Sequence, residues 1–393
     1  MQQIPDEQYE SAKIDGATVF ERFRYITFPY LVPTLTVNLV LMVKQGFTSF
    51  DFPFALTGGG PVRATEVIGI LIYNDAFKNM KFSVANAEAC ILFVIVAIFS
   101  LTQLKLTSKG GVPGMKIKKE GLGWRTARNI LLTLGFLLII APLYLVVINS
   151  FKTLEEAGKN FFSFPSSFNL VNFQSLFSNN NYWMFAKNSL IISVVSAGII
   201  LILVPSVSYA IARNYTKRYY KGIYFYLLMG LFIPSQVIML PVTKLMTNLN
   251  LLNRQGLILL YAAFSLTQGV FLFVNYIRGL PYEIEESAYM DGCNVFQTYL
   301  KVVLPLVKPM IATLLIMDLL WIWNDFMLPL LILNRSQENW TLPLFQYNFK
   351  TEYSFDYTMA FTAYLMSMLP MLIVYCLGQK HIIKGLTAGS VKG

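Results

Sequence analysis

The chain has 393 residues, 55% hydrophobic and only 13% charged, whereas soluble domains carry roughly a quarter charged residues, so an ordinary soluble protein is excluded. The net charge of +10 fits the excess of Lys and Arg that membrane proteins keep on their cytoplasmic side, and no nucleic-acid partner is expected. One histidine, His381, and three widely spaced cysteines, Cys90, Cys293 and Cys376, give neither a metal site nor a disulfide framework.

In chain order, residues 1–25 are polar and acidic and do not read as a signal peptide. An apolar run over 34–54, interrupted by Lys44, predicts a first span. Leu56-Thr57-Gly58-Gly59-Gly60-Pro61 predicts a loop. A second span is predicted over 84–106. Residues 107–128 form a basic linker containing Lys109, Lys116, Lys118, Lys119, Arg125 and Arg128. Six further spans follow, over 129–149, 187–211, 222–243, 256–277, 308–333 and 358–378. Each is about the 20 residues a bilayer requires, which makes eight spans in all. Prolines within them, such as Pro142, Pro205 and Pro370, are tolerated because neighbouring helices can satisfy the freed carbonyls. Arg213, Lys217, Arg218 and Lys221 crowd one short loop, and Lys380, Lys384 and Lys392 lie in the tail. The loops 151–186, 244–255 and 334–357 mix both signs. The linker, the 212–221 loop and the C-terminus are therefore expected in the cytoplasm.

Residues 5–33 recur at 281–309, displaced by 276 positions without a gap. Pro5, Glu7, Glu10, Ser11, Ala12, Asp15, Gly16, Val19, Phe20, Pro29 and Pro33 meet identical residues in the second copy. Shared Leu or Val would mean little between apolar helices, but shared Pro, Glu, Asp and Gly mark two related units. Six spans separate the copies, so both face the cytoplasm. Pro281 suits a helix start, the acids Glu283, Glu285 and Glu286 favour its positive end, and Gly292 suits a left-handed stop. Val295, Tyr299 and Val302 predict a second short helix. The pair has an acidic side and an apolar underside, which suits docking.

Glu-Ser-Ala-x-x-x-Gly followed by Ile-x-Phe-Pro (from Glu10 to Pro29) or by Val-x-Leu-Pro (from Glu286 to Pro305) resembles the cytoplasmic signature loop of binding-protein-dependent ABC importer permeases. Ser11 and Ser287 stand where that family most often has Ala. Trp323-Asn324-Asp325-Phe326 before Leu328-Pro329-Leu330 is similar to the smaller permease of carbohydrate importers of the maltose-transporter type. So is the tail from Gln379 through Lys384-Gly385-Leu386-Thr387-Ala388-Gly389 to Lys392-Gly393. Residues 115–393 resemble that permease in full. Residues 4–109, with their Leu-Thr-Gly-Gly-Gly-Pro loop, resemble the C-terminal end of its larger partner permease.

The resemblance implies an all-α integral membrane protein of about eight transmembrane helices, with the MetI-like ABC importer permease fold in residues 115–393. It implies a multi-pass protein of the bacterial plasma membrane, with the N-terminus, both signature loops and the C-terminus cytoplasmic. The implied activity is import of a carbohydrate, in particular an oligosaccharide, and no enzymatic reaction. The implied partners are a full-length partner permease, two ATPase subunits, an extracytoplasmic sugar-binding protein, the carbohydrate itself and membrane lipid. The ATPase-docking residues would be Glu283, Glu286, Ser287, Ala288, Asp291 and Gly292, with Glu10, Ser11, Ala12, Asp15 and Gly16 in the first copy. Gly385, Leu386, Thr387, Gly389 and Lys392 would reach along the ATPases, and the 334–357 loop would meet the binding protein. No Gly-x-x-x-x-Gly-Lys-Ser/Thr occurs, so ATP and Mg²⁺ are expected on the partner ATPases and no cofactor on this chain.

Intramembrane acids are functional candidates. For Asp318 and Asp325 helix pairing is favoured over substrate contact, and with Asn324 they are the candidates for a substrate path. Trp321, Trp323 and Trp340 suit an interfacial belt, and Asn188, Asn275 and Asn324 suit interhelical hydrogen bonds. No nucleophile–base pair is evident. An ion-coupled secondary sugar carrier is the alternative, for which repeats of whole bundles would be expected. The first unit opens three residues before its motif. The expected organisation is a partner-permease fragment over 1–106, a linker over 107–128 with an independent start at Met115, and a six-span permease over 129–393. Lys109-Gly110-Gly111, ahead of Met115, is compatible with a purine-rich ribosome-binding site read as protein. A non-functional in-frame fusion of a truncated gene with its neighbour is thus a further reading.

Overall fold

The computed structural model describes residues 6–28, 42–43, 45–107, 122–178, 180–347 and 356–388. Among them the secondary structure is helical, with no strand. The chain divides into two compact units, Met1–Tyr144 with Pro234–Val237, and Leu145–Ile233 with Ile238–Gly393. Most of the expected 107–128 linker lies outside the described residues. The division by compactness falls further on, within a long helix.

The first unit carries α1 (Asp6–Ile14), α2 (Val19–Arg22), α3 (Asp51–Thr57), α4 (Ile68–Tyr73) and α5 (Phe82–Thr107). It also holds most of α6 (Leu122–Ser150). The second holds α7 (Leu154–Lys159), α8 (Val171–Ser178), α9 (Asn180–Arg213), α10 (Arg218–Gly230), most of α11 (Ser235–Asn248) and α12 (Arg254–Arg278). Then come α13 (Glu283–Met290), α14 (Val295–Thr298), α15 (Leu304–Leu306), α16 (Lys308–Asn324), α17 (Met327–Leu333), α18 (Leu342–Gln346) and α19 (Tyr357–Ala388).

Among the described residues, five helices are long and apolar enough to cross a membrane: Phe82–Phe99, Asn129–Ser150, Asn181–Arg213, Arg254–Arg278 and Tyr357–Gln379. Two bent pairs raise the number to seven. Three expected spans change form. The 222–243 run is not one rod but α10 and α11, bent by 106°. Pro234 lies in the break, lacks an N–H and disfavours helix in the residue before it. The 308–333 run ends at Asn324, Asp325 turns extended (φ −67°, ψ 130°), and a separate helix starts at Met327. Of the 34–54 run, much lies outside the described residues. Its described end breaks at Phe50 (φ −142°), and Asp51 opens α3.

In the second unit α9 packs along α12. Hydrophobic transfer from water does not drive such packing inside a bilayer, where close approach of small residues does. Gly269 on α12 supplies it: a Cβ there would meet Val204 Cγ1 of α9 at 2.6 Å. A buried aromatic cluster joins Tyr182, Phe185, Trp323 and Phe345. Trp323 therefore corrects the interfacial-belt expectation: its ring is in the core, and its Nε1 donates to the carbonyl of Ser367 at 2.9 Å. Trp321 stays partly exposed, edge-on to Tyr261 with ring centres 5.3 Å apart.

Candidate functional site

Both copies of the repeat adopt one backbone. In the second, α13 ends in a left-handed Gly292 (φ +83°). Asp291 N donates to Ser287 O at 3.0 Å, Gly292 N to Tyr289 O at 3.0 Å and Cys293 N to Ala288 O at 2.9 Å. In the first, α1 is followed by Gly16 (φ +76°). There Asp15 N donates to Ser11 O at 2.9 Å, Gly16 N to Lys13 O at 3.2 Å and Ala17 N to Ala12 O at 2.9 Å. The bond spanning six residues and the left-handed glycine define a Schellman stop, which L side chains disfavour. The next helix opens with a capping box in each copy, Thr18 with Glu21 and Asn294 with Gln297. A π turn then follows, over Phe23–Thr27 and over Tyr299–Val303.

The turn presents a mixed surface. Glu283, Glu286, Ser287, Asp291 and Gly292 are exposed, as are Ser11, Asp15 and Gly16. Met290, Val295 and Phe296 are each more than half exposed, and so are their counterparts Ile14, Val19 and Phe20. Acids ringed by unburied apolar side chains suit a protein partner that supplies cations and a groove. Three expected docking residues sit deeper: Ala288 is buried, and Ala12 and Glu10 are half-buried. Glu21 is held below the usual carboxylate range by hydrogen bonds from the Thr18 side chain and then its backbone N–H, both at 2.7 Å.

Glu285, absent from the expected docking set, is the residue that sequence reasoning missed. It is 1% exposed. Arg213 Nε donates to its Oε1 at 2.7 Å and the Tyr209 hydroxyl to its Oε2 at 2.9 Å. A signal was available: the acids at 283, 286 and 291 recur at 7, 10 and 15, whereas position 9, opposite Glu285, is tyrosine. The acid that does not repeat has a different partner.

Asp318 and Asp325 both pair with α12. Ser265 Oγ donates to Asp318 Oδ2 at 2.6 Å, and Tyr261 Oη to Asp325 Oδ2 at 2.8 Å. Asn324 corrects the interhelical expectation, because its amide donates within its own helix to Leu320 O at 2.8 Å. Asn275 reaches Tyr224 Oη at 3.4 Å as well as its own Phe271 O. Asn188 makes the expected interhelical bond and also binds a loop: Arg254 of α12 donates to its Oδ1 (3.0 Å), and its amide donates to the carbonyls of Glu338 (2.7 Å) and Trp340 (3.0 Å). The described part of the 334–357 loop is thereby fixed to α9. In the tail, Gly385, Leu386 and Thr387 lie in the final turns of α19, while Gly389 and Lys392 lie outside the described residues.

The chain belongs to the family described as binding-protein-dependent transport system inner membrane component, whose model matches residues 1–107 and 206–387. Each matched stretch holds one copy of the signature turn. It is thus a multi-pass membrane component of an ABC transport system and not an enzyme. It is 42% identical over 270 residues to the multiple sugar-binding transport system permease protein MsmG of Streptococcus mutans, covering 67% of this chain and 96% of that protein. It is 35% identical over 256 residues to the probable starch degradation products transport system permease protein AmyC of Thermoanaerobacterium thermosulfurigenes, 65% of this chain and 93% of that one. A separate match, to the multiple sugar-binding transport system permease protein MsmF of Streptococcus mutans, is 46% identical over 109 residues and covers 38% of that protein. Among solved structures, a bacterial ABC transporter importing alginate superposes with a TM-score of 0.59 at 23% identity, over 67% of this chain and 99% of that one. That likeness supports the MetI-like permease fold.

Proposed function

We propose that the chain is a permease of an ABC importer that carries an oligosaccharide into the cytoplasm, driven by ATP hydrolysed on two separate ATPase subunits. The observation that carries this reading is the exposed acidic and apolar turn at 283–296, together with the similarity to the permeases MsmG and AmyC, whose names refer to sugars and starch products. ATP and Mg²⁺ bind the ATPases, and this chain contributes no cofactor site. One ATPase subunit docks on Glu283, Glu286, Ser287, Asp291 and Gly292, with Ala288 supporting the turn from beneath. The tail residues Gly385, Leu386, Thr387, Gly389 and Lys392 extend the same contact. Both signature turns, the N-terminus and the C-terminus face the cytoplasm, in keeping with the charge asymmetry. A full-length partner permease completes the sugar path, to which Asn324 at the break after α16 is open. An extracytoplasmic sugar-binding protein delivers the substrate to the 334–357 loop.

A second reading concerns residues 1–106. The 109-residue match to MsmF spans only 38% of that protein. Residues 1–106 are read as the end of a partner permease joined in frame to the permease that follows, with translation also starting at Met115. A C-terminal tag would then reveal a product of 279 residues beside the 44.6 kDa chain. A single 44.6 kDa band would refute the separate start.

The main reading is tested by Glu286→Lys in the complete complex. Charge reversal against a cationic partner is expected to release the ATPases on affinity purification and to lower ATP-dependent uptake of labelled maltotriose about tenfold or more. Retained ATPases and unchanged uptake would refute the docking assignment.

A further inference from the structure

The membrane helix α9 grips both arms of the signature turn. Ser206, Tyr209 and Arg213, three and four residues apart, share one face of its C-terminal end. Arg213 reaches the first arm through Nε at 2.7 Å and Nη2 at 2.5 Å from Glu285 Oε1, and its guanidinium lies 5.6 Å from the Tyr282 ring centre. Tyr209 divides itself between the arms, donating to Glu285 at 2.9 Å and lying against Tyr299 with ring centres 5.1 Å apart. Ser206 Oγ is 3.1 Å from Tyr299 Oη on the second arm. The Glu285 side chain is 2% exposed and that of Arg213 14%. A buried, multiply bonded charge pair of this kind is directional, and it cannot slip without stranding a charge away from water. The first arm has no covalent route to α9 shorter than the intervening α10, α11 and α12, so this contact is its direct hold on that helix.

We propose that the Arg213–Tyr209–Glu285 contact is a rigid link that makes α9 move as one body with α13, so that displacement of the docking turn enters the membrane through α9. Glu285 is then a positioning residue, turned inward while Glu283 and Glu286 face the ATPase. The proposal rests on the docking reading above, and it assigns to α9 a role that docking alone does not require. Because α9 also holds the outer 338–342 segment through Asn188 and Ser189, one helix connects the two ends of the unit.

The test uses the complete complex, with partner permease, ATPases and binding protein, in liposomes. The probe is [¹⁴C]maltotriose or, if the unsubstituted complex does not carry it, the best-carried member of a labelled di- and trisaccharide panel. Three quantities are read: ATPases retained, ATP hydrolysed, and sugar imported per ATP. Glu285→Gln and Arg213→Lys are expected to retain the ATPases and ATP hydrolysis while import per ATP falls about fivefold or more, the low end of the scale on which sites are coupled. Tyr209→Phe, which removes one bond and no charge, is expected to lower it about twofold and keeps the test open if the other variants fold poorly. The double variant Glu285→Gln with Arg213→Lys is expected to be no worse than either single one, because the pair acts as a unit. Unchanged import per ATP would overturn the link. Loss of the ATPases from these variants would also overturn it, since the pair would then only hold the docking helix in shape. If instead Glu286→Lys keeps its ATPases, the docking reading itself fails, a distinct outcome.

Discussion

The two signature turns have the same backbone but are held by different means. In the first copy the inward position is Tyr9, whose hydroxyl lies 2.6 Å from Thr27 Oγ1, so the first arm is tied to its own second arm. In the second copy the same position is Glu285, which bonds to Tyr209 and Arg213 on α9, 76 and 72 residues away. Thr27 is matched there by Val303, which offers no hydroxyl. The repeated residues make the turn and its outer face, and the residues that differ record what each turn is attached to. A tie between its own arms holds a turn in shape, whereas a tie to a membrane helix can pull on that helix.

The largest expected effect separates these attachments. Glu285→Ala leaves the Arg213 guanidinium without its carboxylate and should destabilise the second unit by about 3 kcal/mol, the lower part of the range for a broken buried pair. Tyr9→Phe removes one hydrogen bond and should cost about 1 kcal/mol. Unfolding of each variant in detergent by SDS titration measures both, and equal losses would contradict the difference in attachment. Next come the glycines. A Cβ at Gly16 or Gly292 would meet nothing within 4 Å, so alanine adds only the left-handed backbone cost, about 1 kcal/mol in either copy. The stability losses should match, while retention of ATPase on purification should fall with Gly292→Ala alone. A loss with Gly16→Ala would show that the first turn docks as well.

The caps should behave alike. Thr18→Ala and Asn294→Ala each remove an N-cap and should weaken α2 and α14 by about 1 kcal/mol, read as faster amide exchange confined to the substituted copy. The smallest effect comes from the third cap residue, which is ionisable Glu21 in one copy and neutral Gln297 in the other. The folded-state pKa of Glu21 lies below its ordinary value because Thr18 bonds the carboxylate. Its contribution is therefore complete above the ordinary carboxylate value, and it is lost as pH falls through the lowered one. Once the intrinsic pH dependence of exchange is removed, amides at Glu21 and Arg22 should lose protection on acidification. Those at Gln297 and Thr298 should not.

Much of the site was legible in the sequence because its geometry is local. A glycine, a cap residue three positions from its partner and a closing proline each act within a few residues, and their recurrence 276 positions further on marks the turn as a unit. The span count was less secure. Hydropathy reports apolar length and does not register a bend, so 222–243 read as one rod although its two helices meet at 106°. The aromatic residues show the same limit. Trp321 and Trp323 lie two residues apart on α16, and composition assigned both to a belt. The core contributed by Phe185 and Phe345 takes in only Trp323.

The sequence by itself determined that this is a helical membrane permease with two signature turns, because apolar length, turn chemistry and an ungapped internal repeat are properties of contiguous residues. Only the tertiary structure decided which way each acid faces. Glu283, Glu285 and Glu286 lie within one turn of one helix, and no local rule distinguishes them. Glu285 is drawn inward because α9 brings Tyr209 and Arg213 to that face, and a buried carboxylate is stable only where such donors await it. At the other end of the unit the half-buried Asp325 is likewise met by a donor from another helix, Tyr261, where α16 ends.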